Sequence, residues 1–67
     1  MNLTVNGTER CFDPPPATAA ALLESLAIVR ERVAVMVNGD VIPRARLAET
    51  PLREGDRIEI ITMVGGG

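Results

Sequence analysis

The sequence predicts an α+β domain in which one mixed sheet of four to five strands carries one helix on one of its faces. Three features support this: two alternating apolar runs each lead into an Asn-Gly pair, one stretch has helical periodicity, and a last alternating run closes the chain. One helix can cover one face of one small sheet, which is typical of a two-layer domain. At 67 residues, the chain has room for a single domain.

The first half predicts a hairpin followed by the helix. NLTV alternates up to Asn6-Gly7, and TERCF returns as the second strand; an Asn-Gly pair between such runs is typical of a two-residue hairpin. Consecutive prolines then end the strand, because proline cannot donate to a sheet ladder. Thr18 is a candidate N-cap. The helix that follows has apolar residues at i, i+3, i+4 and i+7, namely Ala19, Leu22, Leu23 and Leu26.

The end of the helix has no glycine signal, so its boundary is predicted loosely. We expect Arg30 and Arg32 to lie near that end, where basic side chains favour the negative pole of the helix dipole. Cys11, in the second strand, is interpreted as a small buried hydrophobic residue rather than as a sulfur relay, because a free cysteine usually behaves that way.

The second half predicts another hairpin and a final strand. VAVMV and DVI flank a second Asn-Gly pair, RARLAETPL is a loop with room for one helical turn, and RIEIITMV is the last strand. If the hairpins lie side by side with the helix crossing between them, the first and last strands can pair in parallel at the centre. This is the β-grasp, or ubiquitin-like, arrangement. We divide the chain into a β-grasp domain, residues 1–63, and a flexible C-terminal tail, residues 64–67.

The composition argues against several functions. Histidine, tryptophan and tyrosine are absent, so the usual general base and the aromatic platforms for bases are missing. The net charge of −2 argues against a nucleic-acid partner. There is no apolar run long enough for a membrane span and no export signal, and the lone cysteine suits a reducing compartment. We therefore expect a cytoplasmic protein that is not an enzyme, with neither a metal nor a cofactor of its own.

Two segments resemble a known family. NGDVIPR and LREGDRIEI, together with the terminal diglycine, are similar to the sulfur carrier proteins of thiamine thiazole biosynthesis, the ThiS family. The resemblance implies that an activating enzyme uses ATP to adenylate the carboxylate of Gly67. Sulfur from a cysteine desulfurase then converts it to a thiocarboxylate, and thiazole synthase accepts the sulfur. Gly65 and Gly66 would thread into the partner active sites, where side chains would block a narrow channel.

Other functions stay open at this point. The small subunit of molybdopterin synthase, or another thiocarboxylate sulfur carrier, is the nearest alternative. A ubiquitin-like interaction module with no covalent chemistry is a further one, and for it the diglycine would be dispensable.

The last strand also predicts where partners dock. By strand alternation Ile58 and Ile60 share one face, and Glu59, Ile61 and Met63 share the other. The face with Glu59 is predicted to be outside, with Met36 beside it. An exposed apolar patch rimmed by charge is typical of an interaction site. We therefore predict that Met36, Ile61 and Met63 form the docking surface for the activating enzyme and for the sulfur acceptor.

Overall fold

The computed structural model describes residues 1–63, which form one sheet, one α-helix and two short 3-10 segments. The strands are β1 (Asn2–Val5), β2 (Thr8–Cys11), β3 (Val33–Val37), β4 (Asp40–Ile42) and β5 (Arg57–Thr62); α1 is Ala19–Ser25, and the 3-10 segments are Arg30–Arg32 and Arg44–Glu49. The predicted tail, residues 64–67, lies outside the described residues. Within residues 1–63, no helix is both long and apolar enough to cross a lipid bilayer.

The sheet has the strand order β2-β1-β5-β3-β4. β1 pairs with β5 in parallel, and the remaining neighbours pair antiparallel. The two hairpins therefore lie side by side with the last strand between them. This confirms the predicted mixed sheet and the β-grasp arrangement, in which the final strand runs through the centre.

Both Asn-Gly pairs form the predicted two-residue turns. Asn6 and Gly7 have φ values of 50° and 83°, and Asn38 and Gly39 have 51° and 88°. Positive φ at both central residues is the requirement of a type I′ turn, which asparagine and glycine tolerate best. These turns fix the hairpin registers Val5↔Thr8 and Val37↔Asp40.

The core lies between α1 and the inner face of the sheet. Thr18 Oγ1 accepts a hydrogen bond from Ala21 N at 3.2 Å, which confirms the predicted N-cap. The helix buries Ala19, Leu22 and Leu23 of its predicted apolar stripe, whereas Leu26 is the C-cap and is half-buried. Strands β3 and β5 bury alternate residues against the helix. The fully buried core residues include Leu3, Ala19, Leu22, Leu23, Val35, Leu47 and Ile58.

The predicted position of Arg30 and Arg32 at the helix end is wrong. α1 ends at Ser25, and both arginines lie in the separate 3-10 segment. The helix is closed by Ala27, which has φ 57°. Ala27 N donates to Glu24 O at 3.0 Å and Ile28 N donates to Leu23 O at 2.9 Å. This pair of bonds is a Schellman motif, with alanine in the left-handed position that glycine usually takes.

The interpretation of Cys11 as buried is also wrong, because its side chain is exposed. Cys11 pairs with Asn2 on the outer face, and Arg10 pairs with the buried Leu3. The next residue, Phe12, enters the core instead, and its amide donates to Met1 O at 2.8 Å.

Candidate functional site

The chain approaches its C-terminal glycines from the central strand of the sheet. β5 has β1 on one side and β3 on the other. The ladder with β3 extends past the strand end, because Met63 N donates to Arg32 O at 2.8 Å. A segment that follows Met63 therefore starts from a fixed point at the edge of the folded domain.

The backbone groups of β5 alternate between its two neighbours. Arg57 O accepts from Asn38 N at 2.7 Å and Met63 N donates to Arg32 O, so odd-numbered residues bond toward β3. Ile58 O accepts from Asn6 N at 2.9 Å, so even-numbered residues bond toward β1. This alternation follows from the pleat of a strand with a neighbour on each side.

The side chains of both turn asparagines bind β5. Ile60 N donates to Asn6 Oδ1 at 2.7 Å, and Asn6 Nδ2 donates to Ile60 O at 3.2 Å. Arg57 N donates to Asn38 Oδ1 at 2.9 Å. The side chain of Asn6 thus makes the hydrogen bonds to β5 that the backbone of a longer β1 would make. After Asn6 the chain turns away from β5.

The predicted docking residues lie on the outer face of the sheet or at its end. Ile61 and Met63 are exposed to 51% and 46%, and Met36 is half-buried. Met36 pairs with Glu59 in β5, and Ala34 pairs with Ile61. The predicted division of faces is confirmed, since Ile58 is buried and Ile61 is exposed. The docking role of these residues stays a prediction.

One further apolar residue joins this face and was missed in the sequence. Val41, on the edge strand β4, pairs with Met36 and is exposed to 67%. The two-residue Asn-Gly turn fixes that pairing, so the turn type could have predicted from the sequence that Val41 lies beside Met36. We call Ala34, Met36, Val41, Ile61 and Met63 the outer apolar patch.

The predicted reacting residue Gly67 and the threading residues Gly65 and Gly66 lie outside the described residues. Within residues 1–63, no group of three or more histidine, cysteine, aspartate or glutamate side chains is arranged to hold a metal ion.

Comparison with known proteins places this geometry in a family context. The sequence model described as the ThiS family matches residues 3–67. The chain is similar to the crystal structure of a thiamine biosynthesis protein (ThiS) from Geobacter metallireducens, with a TM-score of 0.86, 36% identity and full coverage of both chains. A solution structure of a thiamine biosynthesis protein from the same organism gives a TM-score of 0.82 at 36% identity, covering all of this chain and 88% of that one.

Curated relatives differ in length. A thiazole synthase of Paramagnetospirillum magneticum is 37% identical over 67 residues, and the chain spans only 20% of that protein. The protein ycf40 of Pyropia yezoensis is 40% identical over 67 residues, and the chain spans 93% of it. The similar region therefore occurs both as nearly a whole protein and as one part of a longer one.

Proposed function

Because this chain belongs to the ThiS family, we propose that it is a sulfur carrier of thiamine biosynthesis that works through a thiocarboxylate on Gly67. The structural observation that supports the proposal is the path of β5. This strand is central and ends beside an exposed apolar surface, and the glycines begin three positions after its last residue. A partner can thus hold the folded domain while the terminal carboxylate enters its active site.

The proposed chemistry belongs to the partners. A carboxylate is a poor electrophile, so an activating enzyme joins it to AMP from ATP and releases pyrophosphate. The terminal sulfur of a persulfide supplied by a cysteine desulfurase then displaces AMP, and a thiol reductant cleaves the resulting acyl disulfide to leave a thiocarboxylate. The carrier itself supplies the terminal carboxylate, three final glycines without side chains and a surface for recognition. It needs no catalytic residue, which agrees with a sequence that lacks histidine.

The relative named thiazole synthase favours thiazole synthase as the sulfur acceptor. In that protein a region similar to the whole of this chain occupies one fifth of the length. Joining a carrier and its acceptor in one chain would raise their effective concentration without any new contact. This observation favours thiazole formation over the molybdopterin alternative.

The proposal is tested by reconstitution with the chain ending in a free Gly67 carboxylate. Incubation with the activating enzyme, ATP, a cysteine desulfurase, cysteine and a thiol reductant should give a mass gain equal to replacing one oxygen atom by sulfur. Fragmentation should place the sulfur on Gly67. The loaded chain should then give its sulfur to thiazole synthase and not to the large subunit of molybdopterin synthase.

Two results would contradict the proposal. If sulfur is found on the exposed thiol of Cys11 and Gly67 is unchanged, Cys11 and not Gly67 carries the sulfur. Unchanged mass with an activating enzyme that is active on another carrier would favour the non-covalent interaction module. The matched control is the Cys11→Ser variant, which should acquire sulfur on Gly67 as the wild type does.

A further inference from the structure

A cavity of about 440 Å³ opens on the inner face of the sheet, beside the end of α1. Its aliphatic residues are buried or half-buried, and its polar residues, such as Asn6, Ser25 and Thr62, are exposed at its rim. The aliphatic lining consists of Val5, Leu26, Ile28, Val33 and Ile60. A concave site with an apolar floor and a few polar groups is typical of a binding site.

The backbone of β5 is unpaired along one edge of this cavity. Even-numbered residues of β5 bond toward β1, and the last of these bonds goes from Ile60 to the Asn6 side chain. Thr62 is the next even-numbered residue, so its N–H and C=O also point away from β3, toward the side on which β1 has already ended. Among residues 1–63, no backbone group pairs with Thr62 there. Such an edge is a template for an added strand.

Arg10 adds a positive charge at the cavity. Its guanidinium lies over the ring of Phe12, with 5.6 Å to the ring centroid, and its side chain lines the cavity. Among residues 1–63, the salt bridge joins Arg30 and Glu31, and no carboxylate forms an ion pair with Arg10. A ligand that carries a carboxylate beside an aliphatic group would complement this lining.

We propose that an extended segment of the activating enzyme adds to β5 at Thr62. It places one aliphatic side chain in the cavity and an acidic side chain near Arg10. This inference rests on the proposed function, because that function makes the activating enzyme the protein that must enclose Gly67. Gly67 lies five positions after Thr62, so even a fully extended chain keeps the enclosing enzyme within roughly 17 Å of Thr62. The enzyme is therefore close enough to supply the strand.

The backbone of Thr62 permits a sharp test. Thr62→Pro removes the Thr62 N–H that points to the open edge and leaves the bonds between β3 and β5 in place. Proline is tolerated where the lost N–H faces away from a neighbouring strand. Thr62→Ala removes the same side chain and keeps the N–H, so it is the matched control. Calorimetry with the activating enzyme should give about tenfold weaker binding for Thr62→Pro than for Thr62→Ala, because a partner carbonyl loses its donor.

Amide hydrogen exchange of the wild-type chain supplies the second measurement. The Thr62 amide should exchange quickly in the free chain and be strongly protected in the complex. The Met63 amide, already bonded to Arg32, should change less. Arg10→Glu should also weaken binding to the activating enzyme, and circular dichroism should show that this variant is folded.

The outcomes separate this inference from the proposed function. If the wild-type chain neither binds the activating enzyme nor supports ATP–pyrophosphate exchange, the proposed function fails. If the wild type binds and is activated, two results each overturn the added strand: equal affinities for Thr62→Pro and Thr62→Ala, or an unchanged exchange rate at the Thr62 amide in the complex.

Discussion

The side-chain amide of Asn6 binds both backbone groups of Ile60, accepting from its N–H at 2.7 Å and donating to its C=O at 3.2 Å. These residues are 54 positions apart. The contact ties the first hairpin to the strand that leads into the tail. It also ends the β1–β5 ladder, since Gly7 turns the chain toward β2. The Asn-Gly pair therefore both turns the chain and anchors β5.

We predict that Asn6→Gly leaves the turn intact and loosens β5. Glycine adopts the φ of 50° without strain, so the variant removes only the side-chain bonds. The free energy of unfolding should fall by about 1–2 kcal/mol, the usual net contribution of two hydrogen bonds. Urea denaturation measures this change. Hydrogen exchange at the Ile60 amide should accelerate, and unchanged exchange there would show that the side chain does not hold the strand.

We predict that Ala27→Gly stabilises the domain. Ala27 closes α1 with φ 57°, a conformation that costs a residue with a Cβ roughly 1–2 kcal/mol. Glycine removes that cost but gains freedom in the unfolded chain, so the net gain should be about 0.5–1 kcal/mol. Thermal denaturation measures it. The control is Ala20→Gly inside the helix, which should destabilise by about 1 kcal/mol.

Local signals predicted the elements of this fold because the two Asn-Gly turns and the helical stripe are encoded within a few residues each. The strand order followed from the single helix and the two hairpins. The end of α1 could not be predicted in the same way, because an alanine in the left-handed position leaves no signal in the sequence. The contact between Asn6 and Ile60 was equally hidden, since it joins distant segments and depends on the parallel register.

The error at Cys11 has a different cause, because the information was present. A two-residue turn places Thr8 opposite Val5, so Arg10 stands opposite Leu3 and Cys11 faces outward. The hydrophobic character of cysteine suggested the reverse. Register, once fixed by a turn, decides the face of each residue more strongly than residue type does. The same reasoning would have placed Val41 beside Met36 in the candidate site.

We predict that removing Gly67 abolishes activation and leaves the folded domain unchanged. The reacting carboxylate would then end about 3.5 Å short of its wild-type position. A misplacement of 1 Å can already lower a rate about a hundredfold. ATP–pyrophosphate exchange with the activating enzyme measures activation. Circular dichroism and the melting temperature should match the wild type, because the tail follows the last strand. Exchange at the wild-type rate with Gly66 as the last residue would contradict the carrier function.

We predict that Ile61→Asp folds but is activated poorly. Ile61 is exposed to 51% in the outer apolar patch, so a carboxylate there stays in water in the free chain. The strand should lose only about 1 kcal/mol. A domain of this length has a stability of roughly 3–10 kcal/mol and should tolerate that loss. In a complex the same carboxylate would be buried without a partner. The KM of the activating enzyme for this chain should therefore rise at least about tenfold.

The matched control for Ile61→Asp is Ile58→Asp on the opposite face of the same strand. Ile58 is exposed to only 1%, and an unpaired buried charge there costs about 3–5 kcal/mol in addition to the lost packing. This variant should unfold, which circular dichroism and loss of amide dispersion would show. Val41→Asp tests how far the docking surface extends, because Val41 adjoins Met36 but lies on the edge strand. If Ile61→Asp is folded and is activated with the wild-type KM, the activating enzyme does not dock on the outer apolar patch. Recognition would then have to lie on the inner edge at Thr62 or in the tail.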